Sequence, residues 1–403
     1  MFKLYKLWTL AIREDAFLEG GRVTAAAVLP PIFITTHEEL REAVEDFRSS
    51  PRLAIDTESN GFYAWRERVC LVQISTTERD YIVDPLAVKD LSPLRGVMAE
   101  PSIEKVFHAG EYDVMCLKRD YGFEFVNLFD TMIAGRLLGF KELGLAKLIE
   151  AHFSVKLSKK FQKADWGLRP LSAEQVRYAQ MDTHYLLRLS ESLEAKLARA
   201  GRLEEAREAF RDLSETGPQS RGFDPEGWWD IRGRSAAPDA ALPILRALYL
   251  FREREAERRD RASFRIMPDH LLLRIAVAAP RTKEDLAKVP GFSEYLRQRY
   301  SGTILDIVHN ARHAPAPARP QREPAERMSG RERKLLGDLK LWRKTRAEAE
   351  GLDPAAVLSG SVLREMASRA ARGESDCLSA LSPAKRRRYG AELERLLKSA
   401  SSR

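Results

Sequence analysis

The run Leu53-Ala-Ile-Asp56-Thr-Glu58 closes a short apolar stretch with two carboxylates that are one residue apart. Apolar runs of this kind, bounded by turn-forming residues, are typical of buried strands. Because side chains alternate across a strand, Asp56 and Glu58 are expected to project from the same face. Neighbouring carboxylates repel each other, and a hard divalent cation is the natural group to place between them. For an isolated pair, the alternative is an acidic strand end that leads into a solvated loop.

The composition is that of a globular protein with room for more than one domain. The 403 residues suffice for two or three domains, and 44% of them are hydrophobic and 31% charged. No apolar run approaches the roughly 20 residues that span a bilayer. Residues 1–32 carry no recognisable targeting signal and are expected to be a poorly ordered extension. The few cysteines argue for a reducing compartment and against a thiolate metal site. They are Cys70, Cys116 and Cys377.

The charge is distributed unevenly along the chain. Residues 33–195 contain 21 Lys and Arg against 26 Asp and Glu, whereas residues 196–403 contain 42 against 30. An acidic half followed by a basic half is typical of a metal-binding catalytic domain joined to a domain that binds a polyanion. A solvated basic surface without a partner is the alternative.

The first half of the chain predicts a mixed α/β sheet. Three early strands joined by short turns are typical of an antiparallel meander, and strands that alternate with helices follow them. The last helix begins with a capping box, Ser172-Ala-Glu-Gln175. The predicted elements are a helix at 37–49 with an N-cap in Thr35-Thr36, strands that end at Glu58 and cover 69–74 and 80–84, short strands at 105–108 and 125–129, and one long helix at 172–197.

The second half reads as helices and repeats itself. Leu250-Phe251-Arg252 recurs as Leu341-Trp342-Arg343, and Arg299-Tyr300-Ser301 recurs as Arg388-Tyr389-Gly390. The offset of about 90 residues predicts two similar helical modules in tandem. The predicted organisation is an extension (1–32), an α/β domain (33–200), a linker (201–241), a first helical module (242–312), a Pro-rich spacer (313–327) and a second helical module (328–403).

Two further acids and a tyrosine lie in predicted helices, at positions where they could join Asp56 and Glu58 in one site. Asp113 lies early in a predicted helix that begins near Gly110, and Asp182 follows Tyr178 by four residues in the long helix. Residues four apart share one helix face, so the phenol and the carboxylate point into the same space. Singly, each observation is ordinary, because the helix dipole favours an acid in the first turn.

The order Asp-x-Glu, then Asp after a His-Ala-Gly strand end, then Tyr-x₃-Asp, resembles the DEDD exonucleases in the branch marked by a tyrosine. Other motifs narrow the resemblance to ribonuclease D and the related exonuclease of the nuclear exosome. These motifs are Val69-Cys-Leu-Val-Gln-Ile-Ser75, Phe129-Asp130-Thr131 and Asp165-Trp166-Gly-Leu-Arg169-Pro170-Leu171. Residues 242–310, and a diverged copy at 328–399, resemble the helical domain shared by RecQ-type helicases and ribonuclease D (HRDC).

The resemblance implies a ribonuclease H-like α/β exonuclease fold followed by two all-α helical bundle domains of HRDC type. It implies a cytoplasmic, monomeric 3′→5′ exoribonuclease with no membrane contact, which releases nucleoside 5′-monophosphates from tRNA precursors or other structured RNA with a 3′ tail. Tyr178 would orient the attacking water, and acceptance of the water's proton is the alternative if the ions lower a phenol pKa that is ordinarily about 10. Two Mg²⁺ or Mn²⁺ ions would be held by Asp56, Glu58, Asp113 and Asp182.

Several assignments stay open at this point. His108, Lys160 and Lys163 are candidates for substrate contact, with strand-end packing as the alternative for His108. Asp130 is predicted to be a structural cap rather than a further ligand. A DNA 3′→5′ exonuclease is an alternative function, because sugar choice depends on contacts to the 2′-hydroxyl. A non-catalytic RNA-binding scaffold is another, although the presence of all five functional positions argues against it.

Overall fold

The computed structural model describes residues 28–218, 222–317 and 328–401. Most of the predicted extension (1–27) and ten residues of the predicted spacer (318–327) lie outside the described residues. The described chain forms two compact units. The first unit contains residues 28–58, 69–218 and 328–401, and the second contains 59–68 and 222–317.

The first unit is built on a six-stranded sheet with the order β1-β4-β3-β2-β5-β6. Strands β3 and β4 are antiparallel, whereas β1 pairs with β4, β2 with β5 and β5 with β6 in parallel. The predicted mixed sheet is therefore confirmed. The strands are β1 (Ile32–Ile34), β2 (Arg52–Ser59), β3 (Val69–Ser75), β4 (Asp80–Val83), β5 (Glu104–Phe107) and β6 (Leu128–Asp130).

Helices accompany this sheet, and two of them begin with the capping residues that the sequence indicates. Thr36 caps α1 and Ser172 caps α7, each in a complete capping box with the residue three positions on. The helices are α1 (His37–Ser49), α2 (Pro85–Val88), α3 (Ser92–Ala99), α4 (Glu111–Tyr121), α5 (Thr131–Leu137), α6 (Leu145–Phe153), α7 (Ala173–His184), α8 (Leu186–Arg199) and α9 (Leu203–Glu215).

The prediction of one long helix over 172–197 is wrong. The chain turns at Tyr185 (φ −99°, ψ −5°), which ends α7 and starts α8. Tyr185 is buried, and its ring stacks on Phe153 with 5.7 Å between the centroids. Packing of this ring against α6 therefore decides the break, and no Gly or Pro marks it in the sequence.

The core of the first unit surrounds β2 and extends into the range predicted as a linker. Leu53, Ala54 and Ile55 are completely buried, as expected for a strand covered on both faces. Ala206, Phe210 and Leu213 of α9 belong to the same apolar cluster. The ring centroid of Phe210 lies 4.7 Å from that of Phe129 on β6, so α9 packs directly against the sheet.

Two helical modules follow, one in each unit. The first module contains α10 (Leu242–Arg259), α11 (Ser263–Ile266), α12 (Asp269–Ala278), α13 (Lys283–Ala287) and α14 (Glu294–Ala311). The second contains α15 (Gly330–Glu350), α16 (Pro354–Val357), α17 (Gly360–Ala371) and α18 (Pro383–Ser401). Short 3₁₀ turns lie at Gly227–Asp230, Arg234–Ala236, Asp239–Ala241 and Cys377–Ala380. None of the helices in the described ranges is both long and apolar enough to cross a bilayer.

The two modules share their internal contacts, as the repeated sequence predicts. Arg252 donates a hydrogen bond to the carbonyl of Met267 (3.1 Å), and Arg343 donates one to the carbonyl of Leu358 (2.9 Å). An edge-to-face ring pair recurs as well. Its centroids are 5.7 Å apart for Phe251 and Tyr300 and 5.6 Å apart for Trp342 and Tyr389.

The modules differ in the charges beside the shared tyrosine. In the first module the Tyr300 hydroxyl donates to Glu255 (2.8 Å) and accepts from Arg259, four residues later (2.9 Å). In the second module the order of acid and base is reversed, because Arg346 precedes Glu350. Glu350 accepts from the Tyr389 hydroxyl (2.9 Å) and pairs with Arg346 (2.7 Å).

This reversed pair connects the second module to the α/β domain. Arg202, at the turn between α8 and α9, donates to Glu350. The amide of Ala384 donates to Glu208 on α9 (2.8 Å), and Arg388 donates to the carbonyl of Gly201 (2.7 Å). The second module is thereby fixed against the helix that covers the sheet.

The second unit includes the ten residues that follow Glu58 in the chain. The amide of Ala262 donates to the carbonyl of Tyr63 (2.9 Å), and the Arg265 guanidinium lies 4.0 Å from the Tyr63 ring centroid. Trp65 packs against the apolar core of the first module. The loop between β2 and β3 is thus part of the first helical module.

Candidate active site

The predicted site residues come from three elements of the first unit. Asp56 and Glu58 lie in the second half of β2, Asp113 lies in the first turn of α4, and Tyr178 and Asp182 lie on α7. Each location agrees with the element expected from the sequence.

The start of α4 is fixed against β5, which places Asp113. A Cβ atom on Gly110 would lie 2.5 Å from the Cβ of Phe107, so only glycine allows this close approach. The amide of Gly110 also donates to Asp130 (2.8 Å). Thr57, between the two acids of β2, donates its amide (3.1 Å) and its hydroxyl to Asp113. The carboxyl of Asp113 is therefore attached to the strand that carries Asp56 and Glu58.

Burial raises the pKa of all four carboxyls, and repulsion from other acids of the set raises it further for Asp56, Glu58 and Asp182. Burial, and then repulsion from Asp182 and Asp113, raises the pKa of Glu58 to about 9. The pKa of Asp182 rises to about 8 through burial and the charge of Asp113. Burial raises the pKa of Asp113 to about 6, against the hydrogen bonds from Thr57. The pKa of Asp56 is raised well above its usual range by burial, followed by Asp113, Asp182 and Glu58. The four acids thus act on one another across one site.

Tyr178 belongs to the same site. Its pKa is raised by burial, and next by the charges of Asp182, Glu58 and Asp56. The phenol therefore keeps its proton at neutral pH, so it can donate a hydrogen bond but is a poor base.

The chemistry of these side chains suits hard divalent cations, because all the donors are carboxylate oxygens. A cation between them would also relieve the repulsion that raises their pKa values. Within the described residues, no group of three or more His, Cys, Asp or Glu side chains is close enough together to hold a metal ion. The carboxylates would therefore have to draw together around an ion.

The other candidate residues have partners of their own. The Nδ1 atom of His108 lies 2.9 Å from the hydroxyl of Thr131, and burial lowers its pKa, as the strand-end alternative predicts. Lys160 is exposed and pairs with Glu174 (2.6 Å), and Lys163 is exposed. None of the three is among the main groups that shift the pKa of the four acids in either direction, and their substrate contacts stay predictions. The cap role of Asp130 is confirmed, because it accepts from the amides of Met132 (2.8 Å) and Ile133 (2.9 Å).

A buried network beneath α7 was not predicted from the sequence. Asp80, at the start of β4, accepts hydrogen bonds from Ser75 (2.7 Å), Gln180 (2.6 Å) and His184 (2.8 Å). Ser75 also lies 2.7 Å from the hydroxyl of Thr183. The network attaches the helix that carries Tyr178 and Asp182 to the sheet. Its partners on α7 are more than 90 residues from β4, so no local pattern marks them.

Comparison with known proteins identifies the domains of this chain. Residues 31–198 match the family model of the 3′-5′ exonuclease domain, and residues 241–308 and 332–397 each match that of the HRDC domain. The chain is 32% identical over 350 residues to ribonuclease D of Gluconacetobacter diazotrophicus, which covers 86% of this chain and 88% of that protein. The chain belongs to the ribonuclease D family. As a member of this family it is a 3′→5′ exoribonuclease, and exonucleases of the DEDD type use divalent metal ions.

This ribonuclease D family member is also similar to an exosome exonuclease and to a ribonuclease D of known structure. The exosome complex exonuclease RRP6 of Saccharomyces cerevisiae is 34% identical over 309 residues, which are 72% of this chain and 42% of the yeast protein. The crystal structure of Escherichia coli RNase D, described as an exoribonuclease involved in structured RNA processing, aligns with a TM-score of 0.65 at 25% identity. That alignment covers 92% of this chain and 99% of the E. coli chain.

Proposed function

We propose that this ribonuclease D family member removes nucleotides from RNA 3′ ends with Asp56, Glu58, Asp113 and Asp182 as ligands of two Mg²⁺ or Mn²⁺ ions. The observation that carries the proposal is the placement of these acids on β2, α4 and α7, where Thr57 attaches Asp113 to β2 and the charges of Asp182 and Asp113 raise the pKa of Glu58. Buried acids whose charges repel one another are costly to a fold unless cations neutralise them.

The carboxylates and Tyr178 have different proposed roles, namely ion binding and orientation of the attacking water. When bound, the ions would activate the attacking water and stabilise the leaving 3′ oxygen. The carboxylates hold the ions, and Thr57 keeps Asp113 aligned with β2. The raised pKa of Tyr178 favours the protonated phenol, whose hydroxyl would orient the water by donating a hydrogen bond.

We further propose that the natural substrates are tRNA precursors or other structured RNA with a single-stranded 3′ tail. The names of the bacterial relatives and the description of the E. coli enzyme support this substrate class. The excess of basic residues in the second half of the chain suits contact with the RNA body. We also propose that the chain acts as a monomer in the cytoplasm of a bacterium.

Hydrolysis of a 3′-labelled RNA with Mg²⁺ or Mn²⁺ tests the mechanism. Asp113→Ala is expected to lower kcat by at least about a hundredfold, because an ion ligand contributes several kcal/mol to the transition state. Glu111→Ala is the matched control, since Glu111 is exposed in the same helical turn, and its activity is expected to equal that of the unmodified protein.

Three results would contradict the proposal in different ways. Undiminished activity of Asp113→Ala would exclude the ion-binding mechanism. Faster degradation of DNA of the same sequence would favour the DNA exonuclease. Salt-dependent RNA binding with no ion-dependent cleavage would favour the non-catalytic scaffold.

A further inference from the structure

The ring of Tyr178 is held in place by packing. Its hydroxyl makes no hydrogen bond to any residue in the described ranges. Two aromatic side chains flank the ring, each with a centroid 6.0 Å away. Phe161 lies edge-on at 73°, and Trp166 is tilted by 32°. The position of the hydroxyl therefore depends on what holds these neighbours.

Trp166 acts through its shape. It is 1% exposed and belongs to a small apolar cluster with Leu71, Val176 and Ala179. Its indole Nε1 is buried and has no hydrogen-bond partner among the described residues. An unpaired buried N–H costs stability. The contribution of the indole at this site is therefore its packing and not a hydrogen bond.

Arg169 holds the loop that carries Trp166. Its Nε and Nη2 atoms donate to the two carboxylate oxygens of Asp84 (2.7 and 2.8 Å), just after β4. Nη2 also donates to the carbonyl of Cys70 on β3 (2.8 Å), and Nη1 to the carbonyl of Trp166 itself (2.7 Å). A planar guanidinium with this many partners fixes the loop in one orientation.

We propose that Trp166 is a positioning residue for Tyr178, and that the pair of Arg169 and Asp84 locks Trp166 against the ring. The inference rests on the proposed role of Tyr178 in orienting the attacking water. Loss of the indole would let the phenol ring tilt and move its hydroxyl away from the water. Three of the proposed ion ligands, Asp56, Glu58 and Asp113, lie on β2 and α4, outside this apolar cluster.

A double-mutant cycle with Trp166→Ala and Tyr178→Phe tests this inference. Trp166→Ala is expected to lower kcat by about 10- to 100-fold, as a misplaced group does, and to leave KM for the labelled RNA unchanged. In the Tyr178→Phe background the same change is expected to cost little more, because no hydroxyl is left to position. Trp166→Phe should recover most of the activity, since no hydrogen bond of the indole is lost.

Arg169→Lys provides a second test, which also serves if Trp166→Ala does not fold. Lysine keeps the charge but loses the planar fork, so kcat is expected to fall in the presence of the Tyr178 hydroxyl and not in its absence. Arg52→Lys is the matched control. Arg52 is similarly exposed (24% against 23%) and pairs with Glu104 and Glu194, away from this ring. It is expected to lower the melting temperature without changing kcat.

The outcomes separate the inference from the proposed function. An equal loss of kcat from Trp166→Ala with and without the Tyr178 hydroxyl, or no recovery by Trp166→Phe, would overturn the inference alone. No loss of kcat in Tyr178→Phe would overturn the proposed role of Tyr178, and the inference with it.

Discussion

Glu58 holds its proton far more tightly in the folded chain than in the unfolded one. Its pKa is about 9, through burial and the charges of Asp182 and Asp113, whereas an unfolded glutamate titrates near 4. Asp182 and Asp113 are shifted in the same direction, to about 8 and about 6. Such raised values stabilise the fold fully below about pH 4, where the unfolded acids also keep their protons, and this stabilisation is lost as the pH rises from there to about 9.

Ions and protons should therefore compete at this site. Without divalent ions, the melting temperature is expected to fall between pH 6 and pH 9, by about 5 °C or more if a few kcal/mol are lost. With saturating Mg²⁺ the fall should be smaller, because the cation replaces the protons. Glu58→Gln should flatten the ion-free curve. Parallel curves with and without Mg²⁺ would show that the acids do not form an ion site.

At the scale of single residues, the site residues could be predicted but their supports could not. Asp56 and Glu58 are visible because two acids end an apolar strand. Tyr178 and Asp182 are visible because four residues make one helical turn. The partners of Asp80 and Arg169 are invisible in the sequence, because the contacts form only when β4, α7 and the Trp166 loop meet in the fold.

At the scale of elements, the attachment of α7 to the sheet depends on the buried charge of Asp80. Burial alone would raise the pKa of Asp80, but hydrogen bonds from His184, Ser75 and Gln180 outweigh it and hold the pKa below its usual value. A carboxylate with a lowered pKa stabilises the fold above about pH 4, where the unfolded residue is ionised, and this contribution is lost as the pH falls through the folded pKa.

Asp80→Asn is therefore expected to destabilise the protein by about 3 kcal/mol at pH 7. The difference from the unmodified protein should shrink at pH 3, because the unfolded aspartate is mostly protonated there and the stabilisation from the lowered pKa of Asp80 declines. Urea unfolding at the two pH values measures it. Asp90→Asn is the matched control, because Asp90 is an exposed aspartate of the same domain. A difference that does not change with pH would show that the charge of Asp80 does not hold α7.

Two elements show where sequence patterns are insufficient. The apolar period runs through Tyr185 without interruption, so a single helix was the natural prediction, and burial of the tyrosine ring against α6 produced two. Strand β1 was not predicted, because three residues are too short for a pattern and their partner is a parallel strand nearly 50 residues away. In both cases tertiary packing overrides local preference.

The stability of the whole first unit should depend on Glu350 of the reversed charge pair, which contacts Arg202. Glu350→Arg would place two arginines together at a site where Arg202 is 7% exposed. Because Arg202 would keep only Glu205 as a partner and meet a second buried cation, a loss of about 3–5 kcal/mol is expected. Urea unfolding and hydrogen exchange of the α9 and α18 amides measure it. Recovery should be partial in the double change Arg202→Glu with Glu350→Arg, because Tyr389 also uses Glu350.

The control for this prediction lies on the same helix. Glu348 is exposed and lies 4.0 Å from Lys344, so Glu348→Arg removes the same charge without touching Arg202. Exposed pairs contribute about 0–1 kcal/mol. An equal loss in Glu348→Arg and Glu350→Arg would mean that overall charge, not this contact, decides the stability.

The loop that joins β2 to β3 limits how this protein can be dissected. Residues 59–68 follow a proposed ion ligand directly, yet they belong to the compact unit of the first helical module. A truncation that removed 222–317 would strip Tyr63 and Trp65 of the side chains they pack against. Inactivity of the truncated protein would then have two possible causes. The loop beside Glu58 could be disturbed, or RNA binding by the module could be lost. Point substitutions on exposed side chains of the module keep these two effects apart.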